Sequence, residues 1–210
     1  GYEDALYGIY AQLGTDDYLY KNYLHWLPEV LAVNVSTTDD GLQSMSYGLW
    51  TKTTAFPIRK GIWATSYEVI NQLNNIISHI EKGGDHEFPH TGLYKGEALA
   101  LRALIHFELL RLYGAPIWAP ESEKTRAIPY VTEYSFEITK FSSLDDAYDL
   151  IIKDLLSAES YLSEDASLIT TERTNSRSGG FTSCRIIHMN LYAVEALLAR
   201  VYWSRNDLTN

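Results

Sequence analysis

The residues whose chemistry stands out in this sequence lie in the stretch TTDDGLQSMSYGLW, residues 37–50. It contains a carboxylate, an amide and two aromatic rings: Asp40, Gln43, Tyr47 and Trp50. Sugars present flat C–H faces that stack on aromatic rings, and their hydroxyls hydrogen-bond with carboxylates and amides. The stretch has no 3.6-residue period, so we interpret it as a non-helical segment and predict a ligand-binding site on it. The alternative is that Trp50 packs this loop onto the rest of the protein.

The sequence predicts neither a catalytic site nor a metal site. The best metal candidate is the stretch GGDHEFPH, where Asp85 and Glu87 accompany His86 and His90. It lacks the HExxH spacing, and its Gly and Pro residues favour a solvated turn over a metal site. No phosphate-binding loop, dinucleotide-binding motif or G-x-S-x-G element occurs in the sequence. We therefore expect a protein that is not an enzyme and needs no cofactor or metal.

Two pairs of adjacent acids, Asp39–Asp40 and Asp145–Asp146, also fail to indicate catalysis. The side chains of neighbouring residues diverge, and the second pair suits the positive end of a helix. A carbohydrate-active hydrolase would need two carboxyl groups brought together from distant segments, which no pattern in the sequence supports.

Composition and charge exclude several classes of protein. The chain has 210 residues and a net charge of −10, from 17 basic and 27 acidic residues. Because phosphate backbones need clustered cations, and the sequence has no such cluster, we expect no nucleic-acid partner. The single cysteine, Cys184, allows no intrachain disulfide. No apolar run reaches the ~18–20 residues of a membrane span.

Helical periodicity dominates the chain. Apolar residues recur at 3.6-residue spacing in five stretches, which are Tyr2–Leu13, Ile62–Lys82, Tyr94–Tyr113, Leu144–Leu162 and Ile187–Val201. We predict a mainly all-α fold of stacked helical hairpins of the tetratricopeptide type, with less than about a tenth of the residues in strands. Residues 33–56 and 120–141 are predicted to be long irregular loops, the second with a short strand pair.

The third of these helices ends abruptly in the stretch GEALALRALIHFELLRLYGAPI, residues 96–117. Gly114 is predicted to take the left-handed conformation after the helix, and Pro116 prevents its continuation. Ala103 lies on the apolar side and lets a neighbouring backbone approach. His106 lies beside the apolar stripe, so we expect it at the boundary between core and solvent.

This stretch closely resembles the signature helix of the SusD/RagB family, surface lipoproteins that capture nutrients for Bacteroidetes. The matching residues, in order, are Gly96, Glu97, Ala98, Arg102, Ala103, Phe107, Arg111, Tyr113 and Gly114. Three more stretches are similar to family patterns and follow the family's order: IWATSYEVINQLNNII, IPYVTE with the helix after it, and NLYAVEALLARVYWSRND. We therefore identify residues 1–210 as the amino-terminal helical part of a SusD-like protein.

The resemblance implies a function that composition and periodicity do not reach. It implies non-catalytic binding of a glycan or oligosaccharide nutrient, delivered to a TonB-dependent, SusC-like outer-membrane transporter. It also implies a surface-exposed lipoprotein of the outer membrane, held to the bilayer only by a lipid anchor absent from this chain. Within this chain it places binding loops on the side of Asp40 to Trp50. The competing hypothesis is a tetratricopeptide-like scaffold that binds a partner protein and no sugar.

Overall fold

The computed structural model describes residues 1–15, 23–83, 89–119, 121, 124–169, 180–183 and 185–206. Cys184 lies outside these ranges. The helices are α1 (Tyr2–Thr15), α2 (Leu27–Leu31), α3 (Asp40–Ser46), α4 (Phe56–Gly83), α5 (Thr91–Tyr113), α6 (Leu144–Tyr161), α7 (Asp165–Leu168) and α8 (Leu191–Arg205). Strands β1 (Arg126–Pro129) and β2 (Phe141–Ser143) pair antiparallel. The prediction of a mainly α-helical fold with a short strand pair in the second connector is confirmed.

The chain divides into two compact units, residues 4–69 and residues 1–3 with 70–210. In the larger unit, α5 packs along α6, α6 packs against α8, and both strands contact α6. Helices α6 and α8 therefore form a packed pair. None of the helices in the described ranges has the length and hydropathy needed to span a bilayer.

The smaller unit contains a helix that the sequence did not predict. Residues 40–46 form α3, within the segment interpreted above as non-helical, so that interpretation is wrong. Asp39 begins the helix by accepting a hydrogen bond from the Leu42 amide at 2.8 Å. At Gly41 a Cβ atom would lie 2.5 Å from the Thr54 carbonyl oxygen and 2.6 Å from Ile58 Cδ1. The glycine therefore permits α3 to pack directly against the chain that follows it.

Helix α5 is buried on all sides rather than along one stripe. Of its 23 residues, 17 are buried, including the charged Glu97, Arg102 and Glu108. The expectation that His106 lies at the edge of the core is wrong, because the side chain is 0% exposed. Such a helix needs partners for polar groups as well as apolar cover.

The end of α5 and the start of α8 also differ from the predictions. Gly114 follows α5 with φ −76° and ψ 161°, which is extended rather than left-handed. A Cβ atom there would lie 2.5 Å from the Leu110 carbonyl oxygen, so close approach explains the glycine. Helix α8 begins at Leu191 and not at Ile187, because Asn190 caps the helix at that point. Arg185–Ile187 form a separate 3-10 turn. Ser143 caps α6, since its hydroxyl accepts from the Asp146 amide at 3.1 Å.

Candidate functional site

Three of the four predicted site residues share one exposed face of α3. Asp40, Gln43 and Tyr47 follow one another at i, i+3 and i+7, which places them within about 60° of each other around the helix. All three are exposed, and Tyr47 most strongly at 71%. The buried residues Leu42 and Met45 face the interior of this unit. We call the surface formed by Asp40, Gln43 and Tyr47 the α3 face.

The polar groups of the α3 face form hydrogen bonds with residues just before and just after α3. Lys52 Nζ donates to Asp40 Oδ1 at 2.9 Å. That hydrogen bond, with a second one from Thr54, holds the pKa of Asp40 below its ordinary value. The Gln43 amide donates to the Thr37 carbonyl oxygen at 3.4 Å. The carboxylate is therefore ionised at neutral pH and serves as a fixed acceptor.

Trp50 lies beyond α3, three residues after Tyr47, which is the C-cap residue of that helix. The chain turns at Gly48, whose φ of +75° favours glycine, and Leu49 follows with half of its side chain exposed. Trp50 itself is half-buried. Trp50 is therefore neither fully exposed nor fully buried, and both its role in binding and its packing role stay predictions.

The candidate metal stretch does not gain support from the described residues. Asp85, His86 and Glu87 lie outside them. His90 is described, and its Nδ1 lies 3.1 Å from Glu164 Oε1 on an exposed surface. Within the described ranges no group of three or more metal-ligating side chains comes together.

The signature residue Glu97 belongs to a buried ion network that links α5 to the start of α8. Arg185, only 1% exposed, donates from Nε and Nη2 to the two carboxylate oxygens of Asp165 at 2.6 and 2.9 Å. Its Nη1 donates to Glu97, which His188 Nδ1 also contacts at 3.1 Å. Asp165 additionally accepts from the Leu191 amide at 3.1 Å. Burial acts to lower the pKa of Arg185, but Asp165 and Glu97 raise it above its ordinary value.

The signature residue Arg102 organises a second buried network. Its Nε and Nη2 donate to Asp154 at 2.7 and 2.8 Å, and its Nη1 donates to Asn74 Oδ1 at 2.7 Å. The Tyr130 hydroxyl donates to the same carboxylate at 2.6 Å. Burial, together with the charge of Asp154, raises the pKa of Tyr130 well above its ordinary value. Arg102 therefore joins α5 to α4, to α6 and to the connector that follows β1.

His106 completes this second network and has a defined tautomer. The Val131 amide donates to His106 Nε2 at 3.1 Å, so Nε2 carries no proton. The proton is then on Nδ1, which donates to the Arg102 carbonyl oxygen at 2.9 Å. Burial lowers the pKa of His106 to about 3, and the positive charge of Arg102 acts in the same direction.

These networks give the signature motif a structural role. Gly96 permits close packing, since a Cβ there would lie 2.7 Å from Leu162 Cγ. Glu97 and Arg102 hold the elements around α5 through paired, buried charges. Sequence reasoning missed Arg185 because the stretch before this residue is rich in Ser and Gly, a composition typical of loops. A single cation in such a stretch gives no signal of burial.

This chain is similar to one protein family and to several solved structures. A SusD-like family described as "starch-binding associating with outer membrane" matches residues 7–203. A SusD superfamily protein from Bacteroides thetaiotaomicron is 28% identical over 70% of this chain, with a TM-score of 0.55. A SusD superfamily protein from Bacteroides vulgatus is 27% identical over 69%, with a TM-score of 0.52.

A SusD-like carbohydrate binding protein from Bacteroides vulgatus is 18% identical over 98% of this chain, and its TM-score of 0.71 shows the shared fold. No curated protein matches this sequence. This chain spans 29% of the length of each of the first two structures and 41% of the third. The match over residues 7–203 places the chain in the SusD-like family.

Proposed function

We propose that this chain is the amino-terminal helical part of a surface protein that binds a glycan nutrient without catalysis and delivers it to a TonB-dependent transporter. The observation that carries the proposal is the α3 face, where a fixed carboxylate, an amide and an exposed aromatic ring share one side of a helix. Membership of a family described as starch-binding and outer-membrane-associated supports the ligand class and the location.

The α3 face has the parts that sugar recognition needs. Tyr47, 71% exposed, offers a flat ring for the C–H face of a pyranose. The Asp40 carboxylate accepts hydrogen bonds from sugar hydroxyls, and a bond to a charged group contributes about 1.5–3 kcal/mol. Gln43 adds both a donor and an acceptor. Trp50, which is half-buried, adds a second aromatic residue beyond the end of α3.

The electrostatics of the α3 face favour binding over hydrolysis. Glycoside hydrolysis requires two carboxyl groups, one of which has a raised pKa so that it can donate a proton near neutral pH. The pKa of Asp40 is instead lowered by the hydrogen bond from Lys52. Asp40 therefore acts as an acceptor for hydroxyl groups and not as a general acid.

Affinity gel electrophoresis of the full-length protein on soluble glycans tests the proposal. Tyr47→Ala is expected to weaken retention about tenfold, since it removes the exposed ring. Trp50→Ala is expected to weaken it without unfolding the protein. Phe136→Ala, which removes a fully exposed ring in the larger unit, is the control and should not change retention. If both Tyr47→Ala and Trp50→Ala are retained like the parent on every glycan that the parent binds, the site does not lie on the α3 face or at Trp50.

The transporter is tested separately. We expect the lipid-anchored full-length protein to fractionate with the outer membrane and to co-purify with a TonB-dependent barrel. A complete absence of co-elution in detergent at micromolar concentration, together with no glycan retention, would favour the tetratricopeptide-like scaffold instead.

A further inference from the structure

The carboxyl-terminal halves of α5 and α8 line an open surface groove of about 640 Å³ in the larger unit. Ligand sites for small molecules are typically ~300–1,000 Å³. We call it the α5–α8 groove. It is lined by Phe107, Arg111, Ala199, Arg200, Trp203 and Ser204.

Two guanidinium groups in this groove are fixed by one carboxylate. Arg111 Nη1 and Arg200 Nη2 donate to the two oxygens of Glu108 at 2.6 and 2.8 Å. Both arginines also lie over the Phe107 ring, with 5.8 and 5.5 Å from guanidinium carbon to ring centroid. Glu108 is 8% exposed, whereas the two arginine side chains are 44% and 53% exposed. The trio carries a net charge of +1 and presents its cations to solvent.

Each guanidinium retains donors for a ligand. A guanidinium has five N–H donors in a planar fork, and Glu108 engages one nitrogen of each arginine. Because Glu108 and Phe107 already hold both side chains, little side-chain entropy remains to be lost on binding. The arginine pair is therefore a prearranged set of hydrogen-bond donors for a carboxylate.

Exposed aromatic rings flank the arginines. Trp203 follows Arg200 by three residues on α8, so the two lie on the same side of the helix, and Trp203 is 76% exposed. A second hollow of about 360 Å³ shares Arg111 and Ser204 with the groove and extends to Trp118, which is 82% exposed. Arg111 thus lines both hollows, and each hollow also contains one exposed indole.

We propose that the α5–α8 groove binds an acidic sugar unit of a glycan, with a uronic acid carboxylate on Arg111 and Arg200 and the pyranose face on Trp203. The ligand class rests on the proposed function, whereas the acidic unit and its position follow from the groove alone. The groove is locally positive although the whole chain has a net charge of −10, and this local charge is complementary to an anionic ligand. Trp118, in the adjoining hollow, offers a second stacking surface for another sugar of the same glycan.

Isothermal titration of the full-length protein with an oligogalacturonate, and with a neutral malto-oligosaccharide, tests this site. We expect oligogalacturonate binding to weaken about tenfold in Trp203→Ala, which loses the stacking ring, and similarly in Arg111→Lys, which keeps the charge but loses the fork. Binding should also weaken as salt is raised, since the contact is between exposed charges.

Matched controls lie on the same helix. Tyr192→Ala removes a half-exposed ring at the other end of α8, and Arg205→Lys alters an arginine that pairs with Asp149 outside the groove. Both should bind oligogalacturonate as the parent does.

The possible failures are distinguishable. No oligogalacturonate binding by the parent overturns this inference, while neutral binding that Tyr47→Ala weakens leaves the proposed function intact. Oligogalacturonate binding that is unchanged in Trp203→Ala and Arg111→Lys overturns the groove as its site. A groove that takes the neutral sugar as tightly as the acidic one overturns the assigned ligand class.

Discussion

His106 makes the stability of this protein dependent on pH in a defined window. Its Nε2 accepts the Val131 amide and its Nδ1 donates to the Arg102 carbonyl, so a second proton would point at an N–H donor. Burial lowers its pKa from 6.5 to about 3. Between these values the unfolded chain binds a proton that the folded chain excludes. The free energy of unfolding therefore rises as the pH rises from about 3 to 6.5. The contribution of His106 to stability is fully present above about pH 6.5.

The magnitude follows from the shift in pKa. At pH 5, about 1.5 units below the ordinary value, the loss relative to pH 7.5 is about 2 kcal/mol, at ~1.4 kcal/mol per unit. Urea unfolding of the parent and of His106→Gln at both pH values measures it. Glutamine can still accept from the Val131 amide but does not titrate. The change in unfolding free energy between the two pH values should be about 2 kcal/mol smaller in the variant.

A control separates this effect from general acid destabilisation. His79→Gln alters an exposed histidine on α4 and should leave the pH dependence of unfolding as it is in the parent. If His106→Gln and the parent lose the same stability on acidification, the conclusion that the His106 imidazole is buried in its neutral form is wrong. An NMR titration in which the His106 ring protonates with a midpoint near its ordinary pKa would refute the reasoning equally.

Three further substitutions test the packing around α5. Arg185→Met should lower the free energy of unfolding by roughly 3–5 kcal/mol in urea, because Glu97 and Asp165 lose their buried cation. A loss below about 1 kcal/mol would show that the carboxylates are not buried as ions. Gly96→Ala should cost roughly 1–3 kcal/mol, since the new Cβ meets a fully buried Leu162, and a raised melting temperature would contradict this. Ala103→Leu should cost a similar amount through overpacking, and an unchanged melting temperature would show that residue 103 faces open space.

The long helices could be predicted from sequence because their apolar periods span many turns. The short helix α3 could not. It has only one turn of apolar residues, Leu42 and Met45. Its other residues include Gly41 and two serines, which have low helix propensity. Its stability comes from the Asp39 cap and from packing at Gly41, which are features of the tertiary structure.

Recognising Asp40, Gln43 and Tyr47 as a group needed only local chemistry, whereas their common face required the helix. The burial of α5 was also out of reach, because its charged residues suggest a solvated side. Their partners are far away in sequence: Asp154 lies 52 residues after Arg102, and Arg185 lies 88 residues after Glu97. No local pattern connects such residues.

This separation has a consequence for how the protein is made. At a synthesis rate of ~5–20 residues per second, the cation that neutralises Glu97 follows it after roughly 4–18 s. During that interval α5, with 17 of its 23 positions destined for burial, has no complete set of partners. The nascent chain therefore carries a long apolar segment with unpaired charges, which is a target for chaperones and proteases. Any translation product that stops before Arg185 leaves Glu97 without its arginine, so α5 gains its full set of partners only after Arg185 has been synthesised.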